Sequence, residues 1–186
     1  LSPISEIRSW TNSLKDMYIV MGDPSINNGV DVAIEYKIPN SNKRVDFIVT
    51  GVDERKKKNA VIIELKQWQE VDAVNQKDGI VRTFLGGALR ETTHPSYQAY
   101  SYASMIYDYN ESVRNADILL KPCAFLHNYE VKEHDPLFHE NYQYYIDKAP
   151  VFSKVDKRKL SSFITDSIKE PDKTILEDIE YGVINH

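Results

Sequence analysis

Hydrophobic and polar positions change period several times along this chain, and each change marks an element. Ile4, Ile7, Trp10, Leu14, Met17 and Met21 recur at helical spacing, predicting a first helix over residues 2–21 with that stripe toward the core. Ser2-Pro3 offers it a cap followed by a proline in the first turn. After a turn-rich stretch, residues 30–38 alternate: Val32, Ile34, Tyr36 and Ile38 on one face, Asp31, Ala33, Glu35 and Lys37 on the other. Residues 44–50 alternate again, with Val45, Phe47 and Val49 opposite Arg44, Asp46, Ile48 and Thr50. Ala60-Val61-Ile62-Ile63 is an unbroken apolar run, which predicts a strand over 60–66 buried on both faces. Short polar joins make these three strands a meander.

Further along, Thr93-His94-Pro95 opens a second main helix over 94–110, with Thr93 as its cap. Residues 119–127 read as a fourth strand, and Pro122 places its start near an edge. Asp156 caps a helix running to residue 169, striped by Leu160, Phe163, Ile164 and Ile168 and ended by Pro171. Residues 69–93 are less regular, with Gly86-Gly87 and the arginines Arg82 and Arg90, and predict a long polar loop or flap. Tyr142, Tyr144 and Tyr145, followed by residues 149–152, predict a last strand or an aromatic pad. The pattern gives one domain over 1–170 and an acidic tail or linker over 171–186.

The chemistry gathers where the apolar run ends. Glu64 and Lys66 are two residues apart on a strand and therefore share a face. A structural ion pair is the simplest account, but desolvation offsets most of what a buried pair gains. The polar run 52–59 suits a hairpin loop, and a hairpin symmetric about Arg55 sets Asp46 directly opposite Glu64. Facing carboxylates repel unless something positive lies between them. Asp46 and Glu64 therefore form a candidate site for a hard divalent cation, with Lys66 beside it. Glu35 on the neighbouring strand is either a supplementary carboxylate of that site or an exposed residue paired with Lys37 or Arg44. Gln98 and Tyr102 are four apart and share one helix face.

Asp46…Glu64-Leu65-Lys66 resembles the PD-(D/E)XK nuclease superfamily, with Val45 where the motif has proline. Gln98-x3-Tyr102 resembles the glutamine–tyrosine motif of its RecB-like members. A longer set of segments adds Ile4-x-Glu6-x3-Trp10, Ile34-Glu35-Tyr36, Arg44-Val45-Asp46-Phe47, Gln67-Trp68 and His94-Pro95-Ser96-Tyr97-Gln98. Together they resemble the nuclease-like region found N-terminal to a bacterial P-loop helicase/ATPase domain, over most of the chain.

The resemblance implies an α/β fold with a restriction-endonuclease-like αβββαβ core, a mixed central sheet flanked by helices, and a cytoplasmic location. It implies Mg2+ or Mn2+ held by Asp46, Glu64 and the Leu65 carbonyl, and metal-assisted phosphodiester hydrolysis. Lys66 would act on the attacking water or the transition state, Gln98 would hold Lys66 or a water, and Tyr102 would line the substrate path. Some relatives also place an acidic residue of the first helix in the site, which here is Glu6. The expected partners are DNA, or alternatively RNA, and a helicase/ATPase domain of a parent chain. Lys43, Arg44, His94 and Tyr102 are the candidate nucleic-acid contacts, and Lys56 to Lys58 are either contacts or a solvated hairpin tip. The rival readings are a non-cleaving nucleic-acid-binding module and a protein-interaction domain.

Composition adjusts this picture only slightly. The 186 residues suffice for one packed domain, and a net charge of −5 weighs mildly against nucleic-acid binding. One cysteine, Cys123, excludes an intramolecular disulfide and reads as a buried small hydrophobe. No apolar run reaches membrane-spanning length, and no Gly-rich phosphate loop is present, so ATP hydrolysis is not expected of this chain. His127, His134 and His139 lack zinc-ligand spacing with cysteine. The twelve tyrosines could stack bases, or serve as half-buried packing residues.

Overall fold

The apolar run becomes β3 (Lys58–Lys66), the middle strand of a five-stranded mixed sheet. In the computed structural model, which describes residues 4–185 and side chains from residue 11 onward, Val61, Ile62 and Ile63 are each 0% exposed. Burial on that scale contributes roughly 2 kcal/mol per side chain. The expectations for Ser2-Pro3 lie outside the described residues, and those for the side chains of Ile4, Glu6, Ile7 and Trp10 lie outside the described side chains.

β1 (Asp31–Lys37), β2 (Arg44–Val52) and β3 form the antiparallel meander. β7 (Leu119–Leu126) then joins β3 in parallel, and the short β8 (Val151–Phe152) pairs in parallel with β7. β8 reaches only Ala124 and Phe125, so Pro122 sits where β7 is still an open edge, as its missing N–H requires.

The odd-numbered side chains of β2 and β3 (Phe47, Val49, Val61, Ile63) pack with α1 (Ile4–Met21) and α5 (Lys157–Ser167) through Leu14, Met17, Leu160 and Ile164. On the other face Ile48, Ala60 and Ile62 pack with α2 (Pro95–Tyr109), α3 (Glu111–Asn115) and α6 (Lys173–Tyr181). This is a mixed α/β fold with helices on both sides of the sheet.

Four expectations need correction. Residues 69–93 are not a loop: they form a second, antiparallel sheet of β4 (Asp72–Ala73), β5 (Ile80–Leu85) and β6 (Ala88–Thr93). Gly86 and Gly87 close its hairpin at φ 60° and 80°, the left-handed values a two-residue turn demands. Residues 173–181, expected within a tail or linker, form α6 instead, and it buries Ile175 and Ile179 completely in the second core. The segment containing Tyr144 and Tyr145 is helical, α4 (Gln143–Lys148), and the expected last strand is confined to β8.

The fourth correction concerns β1, whose four apolar positions do not share one face: Ala33 and Ile38 are buried in the second core with Tyr36 packed against it, while Val32 and Ile34 are 39% and 36% exposed. An edge strand packs only where helices cover it, and here α6 covers the Ala33 face. Glu35, at φ 53°, interrupts the alternation, so Tyr36 also reaches the second core and its hydroxyl donates to the Ile179 carbonyl at 2.8 Å.

Candidate metal centre at the end of the central strand

β2 and β3 pair with Phe47 opposite Ile63 and Val52 opposite Lys58, and continuing that register by one step puts Asp46 opposite Glu64. Both side chains lie on the face covered by α2. Asp46 is half-buried, and its Oδ2 accepts the Leu65 N–H at 2.8 Å. Glu64 is 1% exposed. Burial holds its carboxyl well above the usual carboxylate range, and the charge of Asp46 raises it further; the Lys66 charge only partly opposes this. Glu64 Oε1, also buried, has no hydrogen-bond partner among the described residues.

Lys66 does not neutralise this pair by direct contact. Among the described residues no ion pair joins it to Asp46 or Glu64; its Nζ instead lies 5.4 Å from the Trp68 ring centroid. Strand alternation continued to residue 68 would have flagged Trp68 as a neighbour of Lys66, a signal the sequence reading did not use. The structural ion pair is therefore not what this arrangement is for.

The helix motif comes to the same place. Gln98 Nε2 donates to the Tyr102 hydroxyl at 2.9 Å. Burial raises the Tyr102 hydroxyl above its ordinary range, the Gln98 bond opposes that, and the charges of Glu64 and Asp46 add to it. Because Tyr102 accepts from Gln98, its own proton is free to be donated toward the carboxylates or an incoming group.

Other candidates are placed elsewhere. Glu35 is exposed, and no hydrogen bond or ion pair ties it to Asp46 or Glu64 among the described residues. His94 is 0% exposed, so it is not a surface contact for phosphate. It, rather than Thr93, caps α2: Nδ1 accepts the Ser96 N–H at 3.0 Å, and Nε2 lies 2.9 Å from the Leu137 carbonyl. Burial pushes its pKa down to about 4, so the ring is neutral at pH 7.

Lys43 and Arg44 are exposed where β2 begins, beside Asp46. Lys56 and Lys57 stand at the opposite end of the strands, paired at 2.6 Å with Glu170 and 2.7 Å with Asp117. Lys58, at the same end, donates to Thr174. All three are structural, and the loop is not a phosphate cradle beside the site.

Sequence reasoning missed one network entirely. His127, just past β7, bridges Ser13 Oγ at 2.9 Å and Asp16 Oδ2 at 2.7 Å, while Lys157 reaches Asp16 Oδ1 at 3.1 Å. It clamps α1 and α5 to the end of β7 on the face away from Glu64. Only spatial proximity brings these residues together, and no local spacing announces it.

Searches against protein-family models, curated proteins and solved structures return no match for this chain. The chemistry must therefore be judged from the donor set itself. Among the described residues no three His, Cys, Asp or Glu side chains gather at one point, so the protein offers two carboxylates and main-chain carbonyls. That set suits Mg2+ or Mn2+, which take one or two carboxylates and fill the rest of their shell with water or substrate oxygen. The unpartnered Glu64 oxygen beside a second carboxylate is the feature a cation would resolve.

Proposed function

We propose that this chain is a metal-dependent nuclease of the PD-(D/E)XK type, acting on DNA. The observation that carries the reading is Glu64: a buried carboxylate with an unpartnered oxygen, facing Asp46 on one side of the sheet, with Lys66 nearby and not paired to either. The order α1, β1, β2, β3, α2, β7 supports a restriction-endonuclease-like αβββαβ core. Among the described residues no helix is long and apolar enough to cross a membrane.

In this reading Asp46, Glu64 and the Leu65 carbonyl hold Mg2+ or Mn2+. The cation, when bound, supplies charge neutralisation at the phosphate and a lowered pKa for the attacking water. Lys66, kept off the carboxylates by its place over Trp68, is positioned to orient that water or to stabilise developing negative charge. Gln98 fixes the Tyr102 hydroxyl, which donates its proton into the cleft. Arg44 and Lys43 meet the phosphate backbone where β2 begins. The resemblance adds that this is the N-terminal module of a P-loop helicase/ATPase.

The test is cleavage of single- and double-stranded substrates with Mg2+ or Mn2+, beside calorimetric titration of Mn2+. Asp46→Ala should lose metal binding and cleavage together. Lys66→Ala should keep Mn2+ binding, or tighten it slightly, because it removes a neighbouring positive charge; it should still lose cleavage. A Lys66→Ala protein that cleaves as well as wild type refutes this mechanism. A wild type that neither binds metal nor cleaves leaves the non-cleaving binding module as the better reading.

A further inference from the structure

Helix α2 shows a second chemical face. Gln98 and Tyr102 lie on the flank toward the metal centre, whereas Tyr97, Tyr100 and Tyr107 lie on the other flank, toward α4 and the start of β7. Tyr97 and Tyr100 meet Tyr144 and Tyr145, and Tyr107 lines the cavity beside Tyr100. Tyr97 packs edge-on against Tyr145 at 4.7 Å between centroids, Tyr145 against Tyr144 at 5.3 Å, and Tyr144 against Tyr100 at 6.4 Å. The rings of Tyr97, Tyr145, Tyr144 and Tyr100 form a continuous line, and Tyr107 continues it at the cavity beside Tyr100.

This line is not simply core. Tyr144 is 59% exposed and Tyr107 is 50% exposed. A cavity of about 470 Å³ opens at its far end, walled by Tyr100 and Tyr107 with Leu119 and Pro122 beneath. Lys148 also lines it, its Nζ 5.5 Å from the Tyr144 ring centroid. Among the described residues no carboxylate pairs with Lys148, whereas Lys57, on the same rim, is already held by Asp117 at 2.7 Å. The rim also carries the Asp108 carboxylate, an acceptor suited to a sugar hydroxyl or an exocyclic amine.

We propose that this tyrosine line binds an unpaired stretch of nucleic acid, with a base entering the cavity at its end and Lys148 meeting the backbone phosphate. The inference rests on the nuclease reading and names its substrate class as single-stranded, or as duplex with a single-stranded end. Ring faces accept any base, and an unpaired cation beside them supplies the attraction for phosphate. In a duplex the bases are stacked on each other and cannot reach these rings. An apolar protein segment would have no use for a lone ammonium over an exposed ring, which favours nucleic acid as the occupant.

The experiment measures anisotropy of a labelled oligodeoxythymidine, and of a blunt duplex of equal length, in EDTA so that nothing is cleaved. Wild type should prefer the single strand. Tyr144→Ala and Tyr107→Ala should each weaken single-strand binding about tenfold and leave duplex binding unchanged. Tyr144→Phe, which keeps the ring, should bind as wild type does, and Lys148→Ala should flatten the salt dependence. Both tyrosines are exposed, so unchanged thermal unfolding of the variants confirms that folding is not what is lost.

Equal single-strand binding by wild type and the two alanine variants overturns the proposal, as does a duplex preference. Tight, Lys148-dependent binding of thymidine monophosphate that displaces the oligonucleotide also overturns it, in favour of a free-nucleotide pocket. Asp46→Ala separates the two claims, since it should abolish cleavage and keep single-strand binding. A wild type that binds the strand but cleaves nothing would sink the nuclease reading and leave this one standing.

Discussion

His94 offers a sharp test of the packing around the start of α2. Its ring is completely buried, caps α2, reaches Leu137, and stacks on Tyr142 at 4.6 Å between centroids. Burial lowers its pKa to about 4 from an ordinary 6.5, the Leu137 bond opposing the shift only in part. The sign follows directly. As pH falls below 6.5 the unfolded chain takes up a proton that the folded chain refuses until about 4, so stability is full above 6.5 and lost between these values. With about 1.4 kcal/mol per pH unit of displacement, the loss from this ring is about 2 kcal/mol by pH 5 and about 3 kcal/mol by pH 4.

Other groups contribute to the pH dependence. His127, lowered mainly by burial, acts in the same direction, and Glu64, raised mainly by burial, acts against both. A difference measurement isolates His94. His94→Asn keeps a side-chain acceptor for the Ser96 N–H, because asparagine is among the best caps, and loses the Leu137 contact and the ring stack. Urea unfolding at pH 7.5 should find the variant less stable by about 1–3 kcal/mol. By pH 5 the gap should close by about 2 kcal/mol, because the variant has no ring to protonate. Parallel pH curves for the two proteins would refute the reasoning, since a ring that titrates normally is not held in this environment.

Two further outcomes follow from the same packing. Glu64→Gln replaces a buried carboxyl, whose charged form burial and Asp46 disfavour, by a neutral group of the same shape, so it should abolish cleavage yet stabilise the protein in EDTA at pH 8 on urea unfolding; a loss of stability would mean the Asp46–Glu64 pair is already compensated. Wild type should gain stability as pH falls through the raised Glu64 pKa, and this variant should lack that gain. Ile179→Ala empties a fully buried position on α6 and should lower stability by about 2–5 kcal/mol, whereas a change below about 0.5 kcal/mol would return residues 171–186 to the status of a tail.

What the sequence made legible divides by the range of the interaction. The Asp46–Glu64 juxtaposition depends on a hairpin of short reach. Residues 53–57 close it, the Asp53 carboxylate accepting the N–H groups of Arg55 and Lys57 at 2.8 and 2.9 Å, so symmetry about Arg55 sufficed to set the register. Gln98 and Tyr102 were legible because helix spacing fixes their common face. Gly86-Gly87 carried a readable hairpin signal, but the polar composition of the flanking residues outweighed it. The α6 stripe of Ile175, Leu176 and Ile179 was likewise present and hidden by its acidic neighbours. His94 was not legible at all, because its burial depends on Leu137, 43 residues away. The face grouping of β1 failed locally, because Glu35 at φ 53° breaks the strict alternation on which it relied.

These differences bear on why the charges stand where they do. β3 could have ended with another apolar pair, as its 0% exposed neighbours Ile62 and Ile63 show the site would accept. Instead it carries a carboxylate that burial and Asp46 both disfavour in its charged form, and an ammonium drawn aside to Trp68. The buried Glu64 charge is unfavourable for the protein alone, and under the proposed nuclease reading a divalent cation in the cleft would offset it. Because the destabilising contacts are confined to the strand end, they leave the cores on both faces intact. The fold therefore tolerates a site that its own stability does not require, and Glu64→Gln measures the cost of keeping it.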